Sequence, residues 1–179
     1  MNTQELAYLE DDHYGLLFDV RRSVRYHDRR RSFYEKMHKL TNFITILMAG
    51  SVLFDLAKTG DTAKWLIALS VVAALLAVAD MVFVYSEMAG LHNGLKRRFA
   101  ALEIDIISGP AEGEVWGKYM RERLVIEQDE PPVYKVLDGL CRNALLKAEG
   151  HVDPEQFNRF NWWQRLTRNF FHWENASTI

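Results

Sequence analysis

Residues 40–57 read LTNFITILMAGSVLFDLA, and residues 65–85 read WLIALSVVAALLAVADMVFVY. A helix needs about 20 mostly apolar residues to cross the hydrocarbon core of a membrane, and both runs reach or nearly reach that length. The residues between them, KTGDTAK, form a short polar break that is typical of a turn. The sequence therefore predicts a transmembrane helical hairpin. The alternative is a buried hairpin in a soluble all-helical domain, which is less favoured because a small domain can hardly bury two such runs.

Composition limits the classes of protein to consider. The chain has 179 residues and a formal net charge of -2, which argues against a dedicated nucleic-acid-binding protein. Its single cysteine, Cys141, excludes an internal disulfide and a cysteine-based metal cluster, and we expect it to be a small buried apolar side chain. Strong helix formers dominate and no alternating strand pattern is evident. We therefore expect an all-α protein.

The flanks of the two apolar runs are rich in Lys and Arg. Positive residues within about 15–20 residues of a span favour the cytoplasmic side. Between the runs lie only Lys58 and Lys64, partly offset by Asp61, and the acidic start of the chain does not resemble a signal peptide. We therefore expect both termini in the cytoplasm and the turn, residues 59–62, outside. The residues assigned to topology and to attraction of anionic lipid headgroups are Arg21, Arg22, Arg25, Arg29, Arg30, Arg31, Lys96, Arg97 and Arg98.

The second run carries an acidic residue, Asp80, five residues before its end. A charged residue within a span costs on the order of 3 kcal/mol and usually faces protein or water. Two interpretations remain open: Asp80 bonds inside the hairpin, to Asn42 or Thr45, or copies of the chain assemble and Asp80 lines a pore. The interhelix or pore-lining face shared with Asp80 is Ser70, Ala73, Ala77, Asp80, Val84 and Glu87.

Helical patterns continue on both sides of the hairpin. No Pro or Gly interrupts residues 16–49, which predicts one long helix that leads into the first span. After the second span, a stripe of Met88, Leu91, Leu95, Phe99, Leu102 and Ile106 predicts a helix to about residue 107, packed against the N-terminal helix. Further helices are expected over residues 111–128 and 133–149. The expected segments are a basic cytosolic helix at 1–38, the hairpin at 39–86, cytosolic helices at 87–150 and an aromatic, Arg-rich segment at 151–179.

The last segment resembles an amphipathic helix at a membrane interface. Aromatic rings favour the headgroup level, and arginines suit anionic lipids. The alternative is packing against the cytosolic helices or a neighbouring subunit. The residues assigned to the interface are Trp162, Trp163, Arg165, Phe170 and Trp173.

No catalytic constellation is recognisable in the sequence. It lacks a phosphate-binding glycine loop and a Gly-x-Ser-x-Gly elbow, and its six histidines are not at metal-ligand spacing. We therefore expect neither an enzyme nor a bound cofactor or metal.

The basic lead-in RYHDRRRSFY, residues 25–34, followed directly by a two-span hairpin and a long trailing helix, resembles the SLATT family of bacterial two-transmembrane effector domains. The resemblance covers residues 14–107 and extends less clearly to residues 131–173. It implies a role in conflict or anti-phage systems, in which such domains are proposed to form pores or disrupt the inner membrane. No fused sensor domain is recognisable, so the resemblance implies a trigger from a separate sensor or activator protein or through the cytosolic helices.

Two functions are consistent with these patterns. The first is a homo-oligomeric effector of the bacterial inner membrane that forms a pore or perturbs the bilayer. The second is a non-enzymatic membrane-anchored scaffold that recruits a partner through its cytosolic helices. Subunit number, ion selectivity and trigger are left open by the sequence.

Overall fold

The fold consists of helices and their connections. The computed structural model describes residues 3–59, 64–109 and 113–173, and within these ranges it contains no β-strand. The predicted outer turn lies largely outside the described residues. The helices are α1 (Thr3–Thr59), α2 (Lys64–Phe83), α3 (Tyr85–Ser108), α4 (Gly113–Glu127), α5 (Lys135–Ala148) and α6 (Trp162–Thr167), with a 3-10 turn at Pro154–Gln156.

Two compact units divide the chain. Unit 1 comprises residues 1–30 and 92–179, and unit 2 comprises residues 31–91. Helices α1 and α3 each contribute to both units. Unit 1 therefore contains chain from both sides of the two apolar runs.

The core of unit 1 is formed by the first part of α1, the second part of α3 and α4. Its side chains recur at three- and four-residue spacing, which places them on one face of each helix. The expected packing of the N-terminal helix on the stripe of α3 is confirmed, but Leu91 is exposed and the buried position next to it is His92. The buried residues of this core are Leu16, Val20, Leu95, Phe99, Leu102, Ile106, Tyr119 and Ile126.

A smaller cluster joins α5 to α1. Tyr26, Leu137 and Cys141 are buried together, and the Tyr26 hydroxyl accepts a hydrogen bond from the Tyr134 backbone N–H at 3.0 Å. Burial raises the pKa of the Cys141 thiol to about 11, so it stays protonated near neutral pH. The expectation that Cys141 acts as a buried apolar side chain is confirmed.

Unit 2 exposes many of its large apolar side chains. Among the described residues, one helical stretch, Ile67–Ser108, is long and apolar enough to cross a membrane, and none of its most apolar part is buried within the chain. That part, with a mean hydropathy of 2.6, lies at the α2 end, because α3 is far more polar. The first apolar run, residues 40–57, continues beyond residue 51 into a part of α1 for which the backbone alone is described. The two-span arrangement therefore stays a prediction.

Val84 separates α2 from α3. Its φ of 46° lies in the left-handed region, which β-branched residues rarely adopt. Helical hydrogen bonding nevertheless continues across it, because the Val84 N–H donates to the Asp80 carbonyl and the Met88 N–H donates to the Val84 carbonyl, both at 3.0 Å. The apolar α2 and the more polar α3 are thus joined through one strained residue.

The helix at the C-terminal end is shorter than the sequence suggested. It begins at Trp162 behind an Asn161–Gln164 capping box and ends at Thr167. The Thr167 carbonyl then accepts hydrogen bonds from the N–H groups of Phe170 and Phe171, which closes a turn. The predicted amphipathic helix is therefore a six-residue helix followed by a turn.

Candidate functional site

A chain of three polar side chains links the apolar helices within unit 2. Nδ1 of His38 on α1 lies 3.2 Å from Oδ1 of Asp80 on α2, and Nε2 of the same imidazole lies 3.1 Å from Nδ2 of Asn42. The Asp80 side chain is 24% exposed. One of the two interpretations of Asp80 expected a bond to Asn42 or Thr45, whereas the acid contacts His38, with Asn42 one step further along.

The heavy-atom contacts of these three side chains fit one tautomer of a neutral His38 imidazole. In that tautomer Nε2 accepts from the Asn42 amide N–H and the ring proton lies on Nδ1. Nδ1–H then donates to the Asp80 carboxylate. A neutral imidazole satisfies both neighbours, and the acid has a donor from the facing helix without a second charged side chain.

The other residues of the predicted small face are divided between exposed and partly buried positions. Ala73 is partly buried, like Asp80. Ser70, Ala77, Val84 and Glu87 are exposed. A second copy of the chain can therefore still pack against this face at the exposed positions.

Many of the basic residues assigned to lipid headgroups also make contacts inside unit 1. Arg21 pairs with Glu103 at 2.9 Å, and Lys96 pairs with Asp28 at 2.7 Å. Arg22 pairs with Asp19 and Asp138, Arg98 pairs with Asp129, and the buried Arg30 donates to the Asn169 carbonyl and lies over the Tyr134 ring. Arg31 pairs with Glu35 in unit 2. Arg25, Arg29 and Arg97 make none of these ion pairs, and Arg29 and Arg97 are exposed.

The residues assigned to a membrane interface lie on a segment that buries polar side chains and exposes apolar ones. On α6 the polar Gln164 and Thr167 are buried, while Trp162 is 73% exposed and Leu166 is 63% exposed. Trp163, Arg165 and Phe170 are also exposed, and the partly buried Trp173 donates through Nε1 to the Thr167 hydroxyl at 3.3 Å. The apolar side of this segment therefore faces away from the rest of unit 1.

A buried histidine pair connects α1 to α3 in unit 1. Nδ1 of His27 on α1 lies 2.9 Å from Nδ1 of His92 on α3, and Nε2 of His27 lies 2.9 Å from the Glu130 carboxylate. Both imidazoles are about 1% exposed, and the His27 ring stacks on Phe99. Burial lowers the pKa of His92 to about 3, with the nearby His27 and Arg30 acting in the same direction.

The geometry of this pair admits one proton between the two rings. Glu130 accepts from Nε2–H of His27, so the contact between the two Nδ1 atoms needs one ring to donate and the other to accept. A second proton there would oppose two N–H groups at 2.9 Å. The pair therefore joins α1 to α3 while His92 is neutral.

Sequence reasoning missed this pair, although spacing could have indicated it. His27 continues the stripe of Leu17, Val20 and Val24, and His92 precedes Leu95 and Phe99 at the same three- and four-residue spacing. The contact itself joins residues 65 positions apart, so only the fold brings them together.

Among the described residues, no group of three His, Cys, Asp or Glu side chains could hold a metal ion. Comparison of the chain with protein-family models, with curated proteins and with solved structures gives no match. Function is therefore inferred from the geometry and from the pattern of the sequence.

Proposed function

We propose that this protein is a homo-oligomeric effector of the bacterial inner membrane, inserted through a hairpin of residues 40–57 and 65–85, that forms a pore or perturbs the bilayer. Unit 1 is the cytosolic part, and both termini lie on the cytoplasmic side. The resemblance of residues 14–107 to SLATT domains supports a role in a conflict or anti-phage system.

The observation that carries this proposal is the exposed apolar surface of unit 2. On α2, Met81 is 82% exposed and Leu75 is 64% exposed. On α1, Ile46 is 73% exposed, and Phe43 and Leu47 are also exposed. Soluble monomers rarely leave such continuous apolar surface in water, and a bilayer is the solvent that covers it on all sides.

Unit 1 is built from residues on both sides of the apolar runs, which supports two membrane spans rather than one. Leu16 and Val20 from α1 share a core with Phe99 and Leu102 from α3, so residues before and after the apolar runs fold together. A membrane cannot separate parts of one hydrophobic core. If α2 crosses the bilayer, the chain must therefore cross a second time between residues 30 and 92, and residues 40–57 are the other apolar run in that interval.

The orientation follows from the basic residues. The positive-inside rule counts Lys and Arg, while Asp and Glu contribute little. The ion pairs of Arg21 and Lys96 inside unit 1 are therefore compatible with their role in topology. Both flanks of the hairpin favour the cytoplasmic side.

Asp80 supports an active role for the hairpin. An acid within a span is costly and usually serves a function. Its contact with His38 satisfies it in one chain. The exposed Ala77, about one turn before Asp80, and the exposed Ser70, about two turns before Ala77, let another helix approach closely. Assembly through this face would bring several copies of Asp80 around one axis.

The contact between His38 and Asp80 also favours a second candidate function, a membrane-anchored scaffold. If Asp80 serves only to hold α2 against α1 through His38, the hairpin is an anchor, and the exposed aromatic side of α6 recruits the partner.

Leakage from anionic liposomes and depolarisation of expressing cells distinguish these candidates. For the effector, Asp80→Asn should change ion selectivity or leakage several-fold, because a charge is removed from the conduction path. Met81→Leu is the matched control, since its side chain is one residue away and exposed on the apolar side. An absence of leakage and depolarisation with the wild-type protein would remove the pore proposal and leave the scaffold.

A further inference from the structure

A basic groove lies in unit 1, between α5, the segment that follows it and α6. It has a volume of about 750 Å³. Leu140, Ala144 and Phe160 form part of its apolar wall. The cationic side chains that line it are Arg29, Lys147, Arg159, Arg165 and Arg168.

The charge of this groove is unbalanced. None of the described residues that line it is acidic, and within the described part of the chain none of its five cations forms an ion pair. Several other cations of unit 1 are paired with acids, as in Arg123 with Asp19 at 2.9 Å and Arg21 with Glu103 at 2.9 Å. Five like charges around one concavity repel one another, so the groove favours an anion that neutralises several of them at once.

The wall of the groove is held in place by the protein itself. Asn143 on α5 donates to the Asn158 carbonyl at 2.7 Å and accepts from the Asn158 N–H at 2.9 Å. Phe160 packs on Gly139, where a Cβ atom would lie only 2.5 Å from its ring. Arg142 donates to the Gln156 carbonyl at 2.6 Å. A ligand would therefore meet a groove whose wall is already formed, and ordering that wall would cost little affinity.

We propose that this groove binds a phosphate-bearing ligand. Arginine presents a planar fork that matches phosphate oxygens in two hydrogen bonds, and four of the five cations are arginines. The volume suits a compound of nucleotide size. Both a free phosphate compound and a phospholipid headgroup carry this chemistry. The proposal does not depend on pore formation, because every lining residue belongs to unit 1.

The test uses the full chain in non-ionic detergent with two kinds of probe. Calorimetric titration with pyrophosphate and with ATP measures the binding of free phosphate compounds, and citrate serves as a carboxylate control. Native mass spectrometry with phosphatidylglycerol, compared with phosphatidylcholine, measures headgroup binding. The groove variant is Arg159→Gln with Arg165→Gln, both exposed. The matched control is Lys118→Gln with Arg121→Gln, two exposed cations on α4 outside the groove.

The proposal predicts that the groove variant binds at least one phosphate probe about tenfold or more weakly than wild type, whereas the control variant keeps its affinity. Binding should also weaken as ionic strength rises. Loss of pyrophosphate or ATP binding identifies a free ligand, and loss of phosphatidylglycerol alone identifies a headgroup. Absence of binding to all phosphate probes, binding of citrate alone, or equal affinity in the groove variant and wild type would each overturn the proposal.

Discussion

At the scale of single residues, the stability of unit 1 depends on His92 remaining neutral. It is buried against His27 and Tyr26, with Arg30 nearby and Glu130 on the far side of His27. Its pKa of about 3 means that the folded chain keeps it neutral through the physiological range. The contact between α1 and α3 is therefore stable near neutral pH and sensitive to acid.

We expect acid to destabilise the fold through this residue. Below pH 6.5 the unfolded state takes up a proton that folded His92 does not, so protons favour unfolding down to about pH 3. The contribution is about 1.4 kcal/mol of unfolding free energy per pH unit in that range. As pH is lowered, the midpoint temperature of thermal unfolding should therefore fall more steeply for the wild type than for His92→Gln. At neutral pH the variant should have the lower midpoint temperature, because the substitution disrupts the histidine pair. Parallel pH profiles for the two proteins would contradict this account.

At the scale of elements, α5 and the segment that follows it depend on a close approach at Gly139. The Phe160 ring occupies the space where a side chain would begin, and Asn158 lies 3.0 Å from the same position. Gly117, in the middle of α4, has open space around it. These two helical glycines thus differ in what surrounds them.

This difference predicts opposite effects of one substitution. Gly139→Ala should lower the free energy of unfolding by about 1–3 kcal/mol, because the buried Phe160 must shift. Gly117→Ala should raise it by up to about 1 kcal/mol, since alanine favours a helix more than glycine does. Differential scanning fluorimetry of both variants checks the sign. A stabilising Gly139→Ala would show that the segment does not rest on α5 in this way.

The helices themselves could largely be predicted from local pattern. The continuous α1, the end of α3 near Ser108 and the positions of α4 and α5 follow from periodicity and from Gly and Pro breaks, which are local signals. The C-terminal helix was overestimated because the chain turns after Thr167, whose carbonyl accepts from Phe170 and Phe171, and because Gln164 and Thr167 are buried in place of the aromatic side chains.

The candidate sites were less predictable, because they join distant residues. Asp80 was recognisable as an isolated acid in an apolar run, but its partner His38 is 42 positions away on another helix. Arg29 and Arg165 were recognisable in two separate segments of the sequence, and only folding brings both to the same groove.

At the scale of the whole molecule, the central claim is that the chain crosses the membrane twice. Unit 1 contains residues from both sides of the apolar runs, so a hairpin keeps its core on one side of the bilayer. A single crossing by α2 would place α1 and α4 on opposite sides, which the shared core does not allow.

Single-cysteine labelling tests this claim most directly, since native Cys141 is fully buried, has a raised pKa and should react little. Cysteines are placed at the exposed Gly15, at Thr62 in the predicted turn and at the exposed Lys118. A membrane-impermeant maleimide is then applied to spheroplasts before and after permeabilisation. The hairpin predicts that Thr62→Cys reacts in intact spheroplasts, while Gly15→Cys and Lys118→Cys react only after permeabilisation. Reaction of Gly15→Cys together with Thr62→Cys from outside, or recovery of the protein in the soluble fraction, would contradict it.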